Sequence, residues 1–142
     1  MLFYKKSIIR QFSLHKNERL KKRKEIESLF REGRSFAHTP FRIYYSISVN
    51  KTSNEYLQFG VGVSKKFFKK AVSRNRIKRL IREAYRLQKT GLKELIQKNE
   101  KSLKVFFIYT GNEMPEYHLV FEKVAFVLRK LEKEVLKDEK NQ

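Results

Sequence analysis

Cysteine is absent from the 142 residues, which excludes disulfides, a thiolate zinc site and a cysteine nucleophile, and suits a reducing compartment. Aspartate occurs once, as Asp138 in the terminal tail, and the histidines His15, His38 and His118 are scattered through an arm, a loop and a helix start. None sits at a metal-ligand spacing, so neither the metal cluster nor the acid/base pair of a protein nuclease can be assembled from them. Glu25 and Glu83 read as helix-surface residues paired with adjacent cations. A glycine-rich loop for nucleotide phosphates is missing as well. No apolar run approaches the ~20 residues that span a membrane. Residues 1–10 contain neither an uninterrupted apolar region of signal-peptide length nor a small-residue cleavage site. These lacks point to a soluble cytoplasmic protein with no catalytic or metal site of its own.

Acidic residues are scarce too: 15 Asp and Glu face 34 Lys and Arg, for a net charge of +19. Such self-repulsion destabilises a compact chain unless a polyanion offsets it. Nucleic acid is the obvious polyanion, because neutralised phosphates release their counterions. A lysine-rich proteome would raise the acidic residues as well, and here they stay low. Hydrophobic residues make up 40%, including 12 Phe and 7 Tyr, enough for one folded core. We expect a flexible basic N-terminal extension over residues 1–17, a single α+β domain over 18–136 and a polar tail over 137–142.

From residue 19 to 32, Ile26, Leu29 and Phe30 recur at helical spacing, with Gly33 as the stop. Lys21, Lys22, Arg23 and Lys24 load the start of this helix with charge of the sign its dipole disfavours, a conflict that an external phosphate would relieve. In a strand over 41–49, Phe41, Ile43, Tyr45, Ile47 and Val49 alternate onto one face, and Arg42, Tyr44, Ser46 and Ser48 onto the other. Residues 50–55 are a polar turn, which suggests a hairpin with the next strand, 56–64. There Leu57, Phe59, Val61 and Val63 point inward, and Gln58, Gly60, Gly62 and Ser64 outward. Two glycines on one face mean either a close approach by a backbone or ligand, or an ordinary bulge or crowded packing.

A helix over 72–88 has Ile77, Leu80, Ile81 and Ala84 as its apolar stripe; at ~100° per residue, Asn75, Lys78, Arg79, Arg82 and Arg86 lie around the opposite side. Another turn or two of helix fits residues 92–99. The apolar run 103–109 suits a central strand, and 111–115 a turn. The last helix, 116–136, places Val120, Val124, Val127, Leu128, Leu131 and Val135 at core spacing. The order α-β-β-α-β-α describes an α+β sandwich.

The informative stretch is Ser64-Lys65-Lys66, a short loop, and then Arg74-Asn75-Arg76-Ile77-Lys78-Arg79-Leu80-Ile81-Arg82-Glu83-Ala84. A solvated helix face usually mixes signs at i,i+4 to gain pair energy. Here Lys78 and Arg82 are like-charged at that spacing, as are Arg82 and Arg86. A helix that tolerates this is suited to holding phosphates, and the planar arginine fork fits phosphate oxygens and stacked bases. The stretch resembles the signature of the ribonuclease P protein component. The resemblance extends back through Arg19-Leu20-Lys21-Lys22, Phe30-Arg31-Glu32-Gly33-Arg34-Ser35 and Phe41-Arg42-Ile43-Tyr44-Tyr45, and covers roughly residues 18–135.

The resemblance implies an α-β-β-β-α-β-α fold with a four-stranded sheet, one strand more than periodicity reveals. It also implies a left-handed β-α-β crossover, like that of a ribosomal-protein domain and elongation factor G domain IV, where the general rule favours the right hand. The implied role is to join a large catalytic RNA, assist magnesium binding and grip the 5′ leader of precursor tRNA, which the RNA then cuts to leave a 5′ phosphate. Mg²⁺ would act through the RNA, none being held tightly by this chain. By the same resemblance Arg74, Asn75, Arg76, Lys78, Arg79 and Arg82 contact the catalytic RNA, Lys65 and Lys66 are the basic pair beside them, and Phe30, Arg42 and Tyr44 line the leader cleft.

Arg86, on the same cationic side, joins the RNA-binding set; Gly60, Gly62 and Ser64 join the cleft by sharing a face with Arg42 and Tyr44. An aromatic on an open face can stack an unpaired base for ~1–3 kcal/mol. Arg42 departs from the apolar residue often found there, and Thr110-Gly111 stands where the family often has a basic residue. No catalytic residue, metal ligand, membrane or protein partner is expected. The competing reading is a ribosomal or ribosome-assembly protein of similar fold with no role in cleavage.

Overall fold

The computed structural model describes residues 14, 16–50 and 56–140, the side chains of 138–140 excepted. Most of the expected 1–17 extension, most of the 50–55 turn, His15, and the end of the polar tail fall outside the described residues. After a 3-10 turn at Lys16–Glu18 come α1 (Arg23–Glu32), β1 (Arg34–His38), β2 (Phe41–Val49) and β3 (Leu57–Val63). Then follow α2 (Ala71–Gln88), α3 (Thr90–Lys98), β4 (Lys101–Tyr109) and α4 (Tyr117–Lys140).

The strands form one four-stranded sheet in the order β1-β2-β4-β3. β4 is therefore interior, as its continuous apolar run suggests, antiparallel to β2 and parallel to β3. This overturns the expected hairpin between β2 and β3: β4 is inserted between them, and β2 instead folds back on β1. β2 and β3 do run in opposite directions, but the polar composition between them carries no information about which strand becomes the neighbour. β1 escaped periodicity because it is an edge strand of five residues, Arg-Ser-Phe-Ala-His, with none fully buried. The parallel pair β3 and β4 is joined through α2 and α3, the β-α-β crossover.

The alternation read from sequence holds in space. Phe41, Ile43 and Tyr45 of β2, Phe59 of β3, and Val105 and Phe107 of β4 are buried on one face of the sheet. Against them pack α2 through Ile77, Ile81 and Ala84, α3 through Leu92 and Ile96, and α4 through its six expected core residues. Each such side chain taken from water stabilises the fold by about 1.5–3 kcal/mol. Val49 departs from its expected inward place and is 54% exposed, because it pairs with Lys101 at the corner where β4 begins. α4 also continues past residue 136 to Lys140. On the other face of the sheet, among the described residues, α1 lies over β2 and the segment at Leu20 approaches Gly60 of β3. α1 ends where Gly33 donates its N–H to the Leu29 carbonyl; a Cβ at Gly33 would stand 2.4 Å from that oxygen.

Candidate nucleic-acid interface

The loop from β3 into α2 is shaped from within. Ser64 Oγ accepts the Lys66 N–H at 3.1 Å, and Arg74 Nη1 donates to the carbonyls of Phe68 and Lys69, both at 2.8 Å. Arg74 thus spends one edge of its guanidinium on loop geometry, and its charge stays at the mouth of the helix. α2 begins without a side-chain cap and without an acidic residue in its first turn, so its free N–H groups and positive dipole end face the same side as the basic loop. Lys65 and Lys66 are exposed, and between them and the helix stands Phe67, 47% exposed, an aromatic that the sequence reading passed over.

Along α2, Asn75, Arg76, Arg79 and Arg82 are exposed and Lys78 is half-buried. Burial of its stem, and then the charges of Arg19 and Arg79, pull the Arg82 pKa below the usual arginine value. Arg82 stays charged, but in a cluster of like charges that no described carboxylate neutralises. Arg86 is different. Its Nη2 and Nε meet the two Glu83 carboxylate oxygens at 2.6 and 3.1 Å, and the hydrogen bond to Glu83 raises its pKa. Arg86 lies on the expected side, sharing a hollow with Arg79 and Arg82, but there it balances Glu83 within its own helix.

The cleft lies on the opposite face of the sheet. Register sets Tyr44 beside Phe106 and Phe106 beside Gly60; one step along, Arg42, Ile108 and Gly62 form the next row. The Phe30 ring from α1 leans over this surface, 4.8 Å from the Tyr44 ring and 5.1 Å from Phe106. Phe30 remains 40% exposed and Tyr44 half-buried, so neither is sealed into the core. Arg42 sets its guanidinium over Tyr44 at 5.6 Å and donates to the Tyr44 hydroxyl at 3.2 Å and to Ser35 Oγ at 3.4 Å.

Gly60 does not line the open trough. A Cβ there would stand 2.5 Å from the Phe106 ring and 3.1 Å from the Leu20 carbonyl, so the missing side chain makes room for an aromatic and a backbone. Gly62 borders the same ring, at 3.1 Å. Phe106 is the cleft residue that sequence reasoning missed. Its strand is apolar on both faces, which hides the alternation that singled out Tyr44.

How the two faces communicate depends on residues 16–22. Arg19 bridges to Phe59 and Leu20 donates its N–H to the Phe59 carbonyl at 2.8 Å, so this segment covers the outer edge of β3. It is held by Glu18, whose carboxylate is buried against Lys89 Nζ and lies 2.6 Å from Lys93 Nζ. Burial by itself would raise the Glu18 pKa, but the hydrogen bonds and charges of the two lysines hold it below the usual carboxylate value. Leu14 also packs on the core. The outcome is a basic band that turns the sheet's edge. Arg79 and Arg82 on α2 meet Arg19, and Arg19 continues into a hollow of about 680 Å³ lined by Lys16, Asn17, Lys21, Lys22, Gln58 and one carboxylate, Glu25, at the uncapped start of α1.

Among the described residues, no three His, Asp or Glu side chains gather as a metal site, and no helix is long and apolar enough to cross a membrane. A mixed four-stranded sheet with helices packed on one face, an aromatic trough on the other and a cation-rich edge defines a small basic α+β protein of the architecture found in bacterial ribonuclease P proteins. The solved ribonuclease P protein of Thermotoga maritima matches with a TM-score of 0.60 at 28% identity, over 80% of this chain and 96% of that one. The family model for ribonuclease P matches residues 14–132. The ribonuclease P protein component of Porphyromonas gingivalis is 39% identical over 109 residues, 77% of this chain and 79% of its relative. That of Chlorobium phaeobacteroides is 32% identical over 128 residues, covering 84% and 88%. The chain belongs to the ribonuclease P protein family.

Proposed function

We propose that the chain binds the catalytic RNA of a cytoplasmic ribonuclease P through α2, the loop at 64–70 and the edge at 16–22, and holds the 5′ leader of precursor tRNA in the trough of Phe30, Tyr44 and Phe106. The RNA, with Mg²⁺ held on its side of the complex, then cleaves the leader to give the mature 5′ end. The observation that carries this reading is the cationic band of Arg82, Arg79 and Arg19 running around the β3 edge toward α1, where Lys16, Lys21 and Lys22 stand against the single carboxylate of Glu25. A folded protein accepts such repulsion where a polyanion offsets it, because each neutralised phosphate releases counterions. The trough suits an unpaired strand: its rings are open enough to stack a base, whereas a duplex keeps its bases paired and inside.

The chain's own chemistry is that of placement. Tyr44 and Phe30 offer ring faces, Arg42 fixes the Tyr44 ring by a hydrogen bond and its overlying charge, and the α2 guanidiniums hold phosphates. Purified chain added to a ribonuclease P RNA at low Mg²⁺ should process precursor tRNA faster than the RNA alone. Absence of stimulation, with RNA binding retained, would instead identify a structural RNA-binding protein.

A further inference from the structure

The sheet's opposite edge carries a second cationic and aromatic surface. On edge strand β1, the His38 ring lies flat on Phe126 of α4, with centroids 3.9 Å apart and planes 12° from parallel. Phe126 is 43% exposed, and Lys130 Nζ stands 4.3 Å over the neighbouring Phe36 ring. Beside this plate runs a shallow cleft of about 320 Å³ lined by Phe126, Arg129, Lys130, Lys133, Glu134 and Lys137. At ~100° per residue, Lys123, Phe126, Arg129, Lys130, Lys133 and Lys137 share one stripe of α4. On the same projection Glu122 falls at the N-terminal end of the stripe and Glu134 beside it, and Glu134 is already shared between Arg34 at 3.9 Å and Lys137 at 3.5 Å. Arg129 with Lys133, and Lys133 with Lys137, are like-charged pairs at i,i+4, which an ordinary solvated face avoids. A surface-exposed phenylalanine among cations is otherwise a liability in water; against a nucleobase it is a stacking partner.

We propose that this face is a second RNA-contact surface that takes a short single-stranded segment, with a base on the open side of the Phe126–His38 plate and phosphates on Arg129, Lys130 and Lys133. It rests on the reading of the chain as an RNA-binding subunit and extends it to a different part of the molecule. β1 and β3 are the two outer strands, so the new face lies three strand spacings, about 14 Å, from the edge that α2 and Arg19 occupy. A separate stretch of RNA must supply the segment. The stripe's cationic excess, five Lys and Arg against Glu122 and Glu134, favours a polyanion, and the ring pair selects one with exposed bases over an acidic polypeptide.

The test uses the full chain and an octauridylate carrying one photoreactive 4-thiouridine, with crosslinked peptides mapped after irradiation. We expect crosslinks at the Phe30 and Tyr44 trough and, separately, at the α4 peptide containing Phe126. Phe126→Ala should lower the α4 crosslink about tenfold and leave the trough crosslink unchanged. Arg129→Gln with Lys133→Gln should flatten the salt dependence of α4 crosslinking by about 1.4 log units, the value for two single-strand phosphate contacts. These side chains are exposed, so circular dichroism should show an unchanged fold; His38→Ala gives an independent probe of the plate from the neighbouring strand. Trough crosslinks without α4 crosslinks would overturn the second surface and leave the primary reading standing, whereas no crosslink anywhere would sink the primary reading and this one with it. A polyglutamate that competes at α4 as well as an oligonucleotide of equal charge would replace RNA by an acidic protein as the occupant.

Discussion

Replacing Glu18 with glutamine tests the anchor that brings Arg19 to the basic helix. Lys89 is 1% exposed and Glu18 6%, so the variant leaves a buried ammonium facing a neutral amide. The loss has a ceiling of about 5 kcal/mol, the cost near neutral pH of deprotonating a lysine of ordinary pKa 10.5 at about 1.4 kcal/mol per unit. Lys93 has a side chain 34% exposed, can turn toward water and adds little. Breaking a buried pair by removing one partner costs about 3–5 kcal/mol, and the amide keeps some hydrogen bonding, so about 3 kcal/mol is expected. For a domain of this size that lowers the melting midpoint by roughly 10 °C.

Urea unfolding at a series of pH values is the assay. The folded-state pKa of Glu18 is depressed below 4.5, so its contribution is complete above that value and is lost as pH falls through the lower folded pKa. The gap between the native chain and Glu18→Gln should therefore be full near pH 6 and close under acid. Glu18→Leu combined with Lys89→Met should recover most of the stability, since an apolar pair can replace a buried ionic one. A single-variant loss below about 1 kcal/mol, the range of an exposed pair, or a gap that stays constant into acid, would refute the reasoning.

Arg76→Ala and Arg79→Ala should each flatten the salt dependence of binding to ribonuclease P RNA by about 1 log unit per lost phosphate contact; an unchanged slope would mean that these exposed guanidiniums are merely solvated. Arg86→Ala, by contrast, should leave that slope nearly unchanged, because Glu83 already occupies its fork. Tyr44→Ala should weaken binding of precursor tRNA by about 1–3 kcal/mol and leave mature tRNA unaffected, with Tyr44→Phe retaining the ring and most of the affinity; equal losses for both RNAs would take Tyr44 out of the leader site. Gly60→Ala should destabilise the fold by about 1–3 kcal/mol in denaturant titration, because its Cβ would press on the Phe106 ring at 2.5 Å, and Phe106→Ala should relieve part of that loss. Additive losses in the double variant would show that the Leu20 carbonyl, not the ring, is the obstacle.

By itself the sequence determined the periodic and the electrostatic features. The core residues of α4, and Ile77, Ile81 and Ala84 of α2, follow from spacing, as do the two faces of β2 and the interior place of β4, because burial imposes a period of 3.6 or 2 on any chain that folds this way. Leu80, expected in the α2 stripe, is only half-buried, and the fully buried Tyr85 is not among the residues expected there. The charge excess and the run at residues 74–82 were equally legible, since like charges at i,i+4 are visible without coordinates. Tertiary structure alone decided everything that depends on which segments become neighbours. Insertion of β4 between β2 and β3 replaced the expected hairpin, and a strand's pattern records its faces but not its partners.

The same limit hid Phe106 beneath Phe30, and the ring that makes Gly60 a spacer and not a groove wall. It hid the join between Glu18 and Lys89, 71 residues apart, which places Arg19 beside Arg79 and Arg82. It also separated arginines that look alike in sequence: Arg74 serves its loop, Arg86 answers Glu83, and Arg76, Arg79 and Arg82 stay open. A residue's type sets which interactions it can make, and only its neighbours in space decide which of them are already satisfied.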